Sequence, residues 1–170
     1  EVIVEPDASA VEAYERRATA YRERRRALLA TARTPCVMTD GTRVRMTANI
    51  ELLEEIPGVL ECGAEAIGLF RTEFLYLDRA ELPSEEEEYQ DAVTTIRGLG
   101  GRPVTFRTLD LGGDKLPAGV RIAPGPNPAL GLRGIRLMST MRDVLRRQLR
   151  ALYRASAHGP LRIMFPLISG

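Results

Sequence analysis

Three arginines stand in separate segments of the chain, each preceded by apolar residues. Arg71 lies in GLFRTEF, Arg107 in VTFRTLD and Arg133 in ALGLRGI. A guanidinium group stays charged, and its planar set of N–H donors binds phosphate or carboxylate through two parallel hydrogen bonds. The apolar runs before Arg71 and Arg107 are typical of buried strands, and an arginine that ends a buried strand needs an anionic partner. Together the three side chains predict a phosphate or carboxylate site.

The same arginines have a simpler interpretation as members of structural ion pairs. The candidate pairs are Arg71 with Glu73 or Asp78, and Arg107 with Asp110 or Asp114. Asp110 and Asp114 could also bind a metal ion, but we favour a role in which they orient the arginines and Lys115. Lys115 follows two glycines and an aspartate, and the surrounding loop is not a P-loop because the G-x-x-x-x-G-K-[ST] pattern is absent.

A repeated strand–helix order must position these side chains. Strands are predicted at residues 66–70, 103–109 and 161–168, and helices at residues 84–99 and 141–157. Ser84, with Glu87 three residues later, forms a capping box that starts the first of these helices. Strands that alternate with helices indicate a parallel sheet with right-handed crossovers. Long loops after the strands and short loops after the helices are typical of a βα barrel, whose functional face carries the loops that follow the strands.

The N-terminal part of the chain contains the elements that come before the strand–helix repeats and the first strand of those repeats. Its predicted elements are a strand at residues 1–5, an amphipathic helix at residues 8–33, a hairpin with arms at residues 36–39 and 43–50, and a helix at residues 51–62. Asp7 or Ser9 is expected to cap the long helix. A complete barrel needs eight strands and roughly 250 residues, and about four strands are expected here. The predicted fold is therefore α/β, the first half of a TIM (β/α)8 barrel preceded by a long linker helix.

Composition excludes several classes of protein. The 170 residues carry a formal net charge of +1, which gives no indication of nucleic-acid binding. Hydrophobic residues make up 44% and charged residues 28% of the chain, as in ordinary globular domains. No apolar run approaches the ~20 residues of a membrane-spanning helix, and we find no signal peptide. Cys36 and Cys62 have no metal-ligand spacing, and two buried thiols in a reducing cytoplasm are favoured over a disulfide.

Four separated motifs resemble those of the phosphoenolpyruvate-utilising enzymes. In chain order they are GAEAIGLFRTEFLYLDRAELPSEEEEYQ, TFRTLDLGGDK, NPALGLRGIR and ALYRASAHGPLRIMFPLIS. The resemblance covers essentially the whole chain and is closest to the Enzyme I branch of the bacterial phosphotransferase system, the phosphoenolpyruvate–protein phosphotransferases. Pyruvate phosphate dikinase and phosphoenolpyruvate synthase share the arginine motifs and are the alternative within the family.

The resemblance implies a phosphotransferase with a TIM barrel that binds phosphoenolpyruvate and Mg²⁺. Such an enzyme passes the phosphoryl group to a histidine on a separate swivelling domain and then to a small histidine phosphocarrier protein. By the same resemblance, residues 1–6 end the swivelling domain, residues 7–34 form the linker helix, and residues 35–170 form the N-terminal half of the barrel. The parent is expected to be a cytoplasmic homodimer that neither binds nucleic acid nor inserts into a membrane.

The resemblance also places five residues of this chain in the substrate site. Arg71, Arg107 and Arg133 match the phosphate-binding arginines, of which Arg71 and Arg107 are assigned catalytic roles; Lys115 matches a lysine beside the phosphate, and Asn49 lines the site. The Mg²⁺ ligands, the groups that hold the substrate carboxylate, the proton-donating cysteine and the phosphorylated histidine are expected outside this chain. The 170 residues alone are therefore expected to be an inactive fragment without a metal ligand of their own.

A different class of function is a non-catalytic interaction module. In that case the long helix at residues 8–33 docks to a partner or forms a dimer. Substitution of the three arginines would then leave function unchanged, whereas changes at Tyr14 or Tyr21 would abolish it.

Overall fold

The computed structural model describes residues 3–77, 79, 81–111 and 131–168. Within them, the α-helices are α1 (Ala8–Ala30), α2 (Ile56–Glu61), α3 (Glu85–Gly98), α4 (Gly134–Thr140) and α5 (Arg142–Ala155). The strands are β1 (Cys36–Val37), β2 (Arg43–Val44), β3 (Thr47–Ile50), β4 (Ala66–Arg71), β5 (Val104–Arg107) and β6 (Leu161–Met164). Short 3-10 turns lie at Leu53–Glu55, Thr72–Leu75 and Ser156–His158. None of the helices just named is both long enough and apolar enough to cross a membrane.

The main sheet is parallel, with the described strands in the order β3-β4-β5-β6. The connections between successive strands contain α2, then α3, then α4 and α5. Strands that are consecutive in this part of the chain are thus neighbours in the sheet, as expected for a series of βα units. The predicted α/β class and the parallel sheet are confirmed.

The hydrophobic core lies between one face of this sheet and helices α2, α3 and α5. Its sheet residues include Ile67, Phe70, Val104 and Phe106, and the rings of Phe70 and Phe106 lie with their centroids 5.0 Å apart. Side chains alternate between the two faces along a strand. The residues that follow Phe70 and Phe106, which are Arg71 and Arg107, therefore belong to the opposite face of the sheet.

A second buried cluster supports the segments that follow β4 and β5. It contains Tyr76, Leu109, Leu111, Leu137, Met138 and Val144. These residues come from the turn after β4, the segment after β5, and helices α4 and α5. Because apolar packing fixes the backbone at the carboxyl ends of the strands, the polar side chains there are attached to a rigid support.

The predicted hairpin is present but shorter than expected, and its second arm is divided. β1 and β2 pair antiparallel around Gly41, whose φ of +86° suits glycine. The prediction of one continuous arm over residues 43–50 is wrong, because residues 45 and 46 lie in neither strand and separate β2 from β3. There the N–H of Glu65 donates to the carbonyl of Met46, which fixes the start of β3 beside β4 in the other sheet.

Helix α1 lies outside the core. Asp7 caps it, as predicted, by accepting a hydrogen bond of 2.7 Å from the Ala10 N–H. The helix ends at Ala30 rather than at residue 33 and has no buried residue. Its two tyrosines, Tyr14 and Tyr21, are 43% and 68% exposed. Residues 3–5 are not in a strand, so the predicted strand at residues 1–5 is absent from its described part.

Candidate functional site

Two of the three predicted arginines lie side by side at the carboxyl ends of neighbouring strands. Arg71 ends β4, Arg107 ends β5, and the two are paired residues in the parallel register. Phe70 and Phe106, one position earlier, are paired in the same way and face the core. Since the same pattern of residues ends both strands, the sheet brings two guanidinium groups to one edge and one face.

Arg107 is held by two carboxylates. Its Nη2 donates to Oε1 of Glu73 at 2.8 Å, and its Nη1 lies 3.4 Å from Oδ2 of Asp110. Glu73 Oε1 also accepts the backbone N–H of Asp110 at 3.0 Å. Glu73 is buried, and the Arg107 side chain is only 20% exposed, so bulk water screens this cluster weakly. The partner Asp110 was among the expected ion pairs of Arg107, whereas Glu73 had been expected to pair with Arg71.

Arg133 joins the same cluster from the other side of Asp110. Its Nε donates to Oδ1 of Asp110 at 3.2 Å. Gly134 follows in the left-handed region, with φ of +54°, and a Cβ there would lie 3.1 Å from the same Asp110 oxygen. Glycine at this position therefore allows the start of α4 to approach the aspartate. Asp110 contacts both Arg107 and Arg133, as an orienting role requires, and its contact with Arg107 is also the ion pair named as the simpler interpretation.

Arg71 has a different partner from the ones predicted. It forms an ion pair with Glu51, the residue that follows β3. The Arg71 side chain is 44% exposed, about twice the exposure of Arg107. The expected pairing with Glu73 is not made because that carboxylate turns to Arg107, and Asp78 lies outside the described residues. Arg71 is thus the more accessible of the two strand-end arginines.

Asn49 lies near this edge, and Lys115 cannot be placed. Asn49 is exposed in β3, and its register partner is Leu69, two residues before Arg71. By alternation along β4, Asn49 therefore lies on the same face as Arg71. Lys115 and Asp114 lie outside the described residues. The structure thus brings four of the five predicted site residues to one region of the molecule.

Sequence reasoning missed Glu51, the role of Glu73, and a buried glutamine. Gln148 of α5 is 2% exposed and lines a cleft of about 220 Å³ together with Glu51, Arg71 and Thr72. A signal for Gln148 existed in the sequence, since it lies one turn after Val144 and one turn before Leu152 on the apolar side of α5. Glutamine among apolar helix positions needs a hydrogen-bond partner, and buried polar groups almost always have one.

A buried acid lies beneath the same edge. Burial raises the pKa of the Glu88 carboxyl to about 7, although a hydrogen bond from the Tyr76 hydroxyl and the charge of Arg147 act in the opposite direction. Burial likewise raises the pKa of Tyr76. The neighbouring Glu87 is exposed, and its hydrogen bonds with Ser84 and Arg79 lower its pKa to about 2. Two adjacent carboxylates of α3 therefore differ in charge state over a broad range of pH.

The arrangement can hold an anion at the strand ends. Arg71 is accessible, and the Nε of Arg107 is buried without a hydrogen-bond partner among the described residues. Fixed guanidinium donors of this kind suit a phosphate group. Across residues 3–77, 81–111 and 131–168, no three His, Cys, Asp or Glu side chains are grouped so that they could hold a metal ion. The described residues thus offer donors for an anion but do not fit a Mg²⁺ site.

Comparison with known protein families shows which family contains a domain like this one. The model of the family "PEP-utilising enzyme, PEP-binding domain" matches residues 25–170, where PEP is phosphoenolpyruvate. The chain belongs to this family. The match includes β3 to β6 and all three arginines, so the strand-end cluster lies within the PEP-binding domain as the family defines it.

Individual relatives in this family are named as phosphotransferases. The chain is 46% identical to the phosphoenolpyruvate-protein phosphotransferase of Priestia megaterium, and 43% and 41% identical to those of Bacillus subtilis (strain 168) and Staphylococcus aureus. Each alignment covers 169 residues, which is 99% of this chain. The chain spans about 30% of the length of these curated relatives.

Proposed function

We propose that this chain is the part of a phosphoenolpyruvate–protein phosphotransferase that binds the phosphate of phosphoenolpyruvate. The observation that carries the proposal is the pairing of Arg71 with Arg107 at the carboxyl edge of the sheet, with Asp110 linking Arg107 to Arg133. The names of the relatives support the choice of donor and reaction class. In this assignment Arg71 and Arg107 are catalytic residues, and Arg133, Lys115 and Asn49 contact the substrate.

The two strand-end arginines have separate tasks in this proposal. Arg71, exposed and paired with Glu51, exchanges that carboxylate for a phosphoryl oxygen when the substrate enters. Arg107, fixed by Glu73 and Asp110, keeps its orientation throughout. Transfer of a phosphoryl group depends mainly on positioning and on stabilisation of charge on the phosphoryl oxygens, and donors that are already oriented need no reorganisation during the reaction.

The rest of the proposal concerns the whole protein. The four parallel strands are compatible with the first half of a TIM barrel, and we assign residues 35–170 to that half, residues 7–34 to a linker helix and residues 1–6 to the end of a swivelling domain. The acceptor is a histidine of that domain, and the next acceptor is a small histidine phosphocarrier protein. We further assign the parent to the cytoplasm as a homodimer, with no nucleic-acid partner and no insertion into a membrane.

Magnesium belongs to the whole-protein proposal and not to the chemistry of this chain. When bound, Mg²⁺ would supply additional positive charge to the phosphoryl group. By the family resemblance, its ligands are assigned to parts of the parent beyond these 170 residues. The arginines of this chain then account for positioning of the phosphate and for part of the stabilisation of its charge.

Ligand titration tests the assignment of this chain to the phosphate end of the substrate. Calorimetry is carried out on the 170-residue chain and on the full-length gene product that carries it, with phosphoenolpyruvate, inorganic phosphate and pyruvate. We expect the two phosphate compounds to bind and pyruvate to bind at least about tenfold more weakly, because the arginines contact phosphate. We expect no formation of pyruvate by the 170 residues alone when a histidine carrier is added.

Two outcomes would contradict the proposal. Equal affinity for pyruvate and phosphoenolpyruvate would show that the carboxylate, and not the phosphate, is recognised. Robust turnover by the 170-residue chain would show that the missing parts of the relatives are unnecessary.

A further inference from the structure

Gln148 occupies an unusual position for a polar side chain. It lies in α5, a helix that follows β5 by more than thirty residues, yet its amide reaches the backbone at the end of β5. Its Oε1 accepts the backbone N–H of Leu109 at 3.0 Å, and its Nε2 donates to the hydroxyl of Thr72 at 3.2 Å. Gln148 thus joins the segment after β5 to the turn after β4.

Thr72 completes the connection to the arginine. The Thr72 hydroxyl donates to the backbone carbonyl of Arg107 at 2.9 Å, so it accepts from Gln148 and donates to Arg107. Only a side chain with both a donor and an acceptor, such as an amide, can accept from Leu109 and donate to Thr72 at once. Thr72 and Gln148 are both buried, and hydrogen bonds between buried groups are strong and costly to leave incomplete.

The bridge fixes the residues on either side of the arginine cluster. Thr72 is the neighbour of Arg71 and of Glu73, and Leu109 is the neighbour of Asp110. Glu73 and Asp110 in turn hold the guanidinium of Arg107. Buried hydrogen bonds among their backbone neighbours therefore connect the two strand ends that carry the arginines, in addition to the ion pairs.

We propose that Gln148 is a positioning residue of the phosphate site. It holds the end of β4 against the end of β5 through Thr72 and Leu109, so that Arg71 and Arg107 present their donors in one fixed geometry. This inference rests on the proposed function, which supplies the ligand for these donors. A shift of about 1 Å in a positioning group is enough to lower a rate by about a hundredfold.

Kinetics of the full-length gene product test the positioning role. Gln148→Met keeps the length of the side chain but removes the donor and the acceptor, and Gln148→Glu keeps the acceptor and removes the donor. We expect both to lower kcat/KM for phosphoenolpyruvate by about tenfold or more. Thr72→Val is expected to lower kcat/KM to a similar extent, whereas Thr72→Ser, which keeps the hydroxyl, should retain most of the activity. The double variant Thr72→Val with Gln148→Met should lose little more activity than either single variant.

A matched control separates positioning from general stability. Ile96 is a core residue of α3, and a Cβ at Gly159, two positions before β6, would lie 2.6 Å from its Cγ2. Ile96 thus lies at the opposite end of the strands. Ile96→Ala is expected to lower stability without lowering kcat/KM. If Gln148→Met changes kcat/KM by less than about twofold, or by no more than Ile96→Ala does, the positioning role is wrong.

Hydrogen exchange tests the bridge without any ligand. The Leu109 amide should lose protection in Gln148→Met and keep it in Ile96→Ala when the two are compared at equal global stability. Unchanged protection of Leu109 would overturn the inference. If the wild-type protein shows this protection but neither binds nor turns over phosphoenolpyruvate, the proposed function fails, while the bridge between the two strand ends stands.

Discussion

The carboxyl edge of the sheet and helix α1 use the same residue types in opposite ways. At the sheet edge, Arg107 is mostly enclosed, and two carboxylates hold it. Along α1 the arginines are interspersed with glutamates, and the helix has no buried residue. Its Arg25 pairs with Glu61 across an exposed surface, where both side chains are about half exposed. Arginine content therefore says little, whereas enclosure by two fixed carboxylates distinguishes Arg107 from the solvated arginines of α1.

Replacement of the enclosed arginine is expected to give the largest effect. Arg107→Lys keeps the charge but loses the planar fork that fits phosphate. We expect kcat/KM for phosphoenolpyruvate in the full-length gene product to fall by about a hundredfold, the size of effect seen when one oriented donor is removed from a reacting oxygen. Arg24→Lys on α1 is the matched control and should leave kcat/KM unchanged. If Arg107→Lys and Arg24→Lys gave the same kcat/KM, the sheet edge and α1 would not differ in function as proposed.

The same distinction should appear in the free energy of unfolding. Glu73→Ala leaves Arg107 enclosed without its closest acceptor, and we expect a loss of about 2–3 kcal/mol, less than for a fully buried pair because Arg107 retains some contact with water. Glu61→Ala removes the exposed partner of Arg25 and should cost less than about 1 kcal/mol. Urea unfolding of both variants measures the difference. Similar losses for Glu73→Ala and Glu61→Ala would show that enclosure is unimportant here.

The contributions of a buried and an exposed carboxyl group, Glu88 and Glu87, to stability should depend differently on pH. Because the pKa of Glu88 is raised from 4.5 to about 7, the folded protein holds its proton more tightly than the unfolded chain does. Stability should therefore fall as pH rises from about 4.5 to 7 and then level off. Glu88→Gln removes this effect, so its stability relative to wild type should increase by about 3 kcal/mol between pH 4.5 and 8.

Glu87→Gln provides the control for this pH experiment. The pKa of Glu87 is lowered from 4.5 to about 2, so its stabilising charge is present above pH 4.5 and is lost progressively as pH falls from about 4.5 to 2. The stability of Glu87→Gln relative to wild type should therefore be nearly constant between pH 4.5 and 8. A constant difference for Glu88→Gln as well would contradict the raised pKa of Glu88.

The smallest effect is expected on α1 itself. Tyr21 is 68% exposed, so Tyr21→Ala should change stability by less than about 0.5 kcal/mol and leave the kinetics with phosphoenolpyruvate unchanged. Tyr14→Ala should behave in the same way. Loss of activity in these variants, together with normal activity of Arg107→Lys, would instead favour a docking module based on α1.

Much of the fold could be predicted because local chemistry specifies it. The capping box of Ser84 and Glu87 is present, with Glu87 accepting from the Ser84 N–H, and α3 begins where that motif predicts. The strand at residues 66–70 was predicted within one residue. By contrast, β5 and β6 end at Arg107 and Met164, before the predicted ends at residues 109 and 168. Both strands were predicted too long because apolar residues follow the last paired residue of each strand.

The candidate site was predictable in its residue types but not in its partners. The order of the residues shows that arginines follow buried strands, since such runs must be enclosed and a charge at their ends must be accommodated. The folded chain was needed to show that Arg71 pairs with Glu51, that Glu73 pairs with Arg107, and that Gln148 bonds to Thr72. These partners are 20, 34 and 76 residues apart in the sequence. Contacts at such separations depend on strand register and helix packing, which no local pattern of residues encodes.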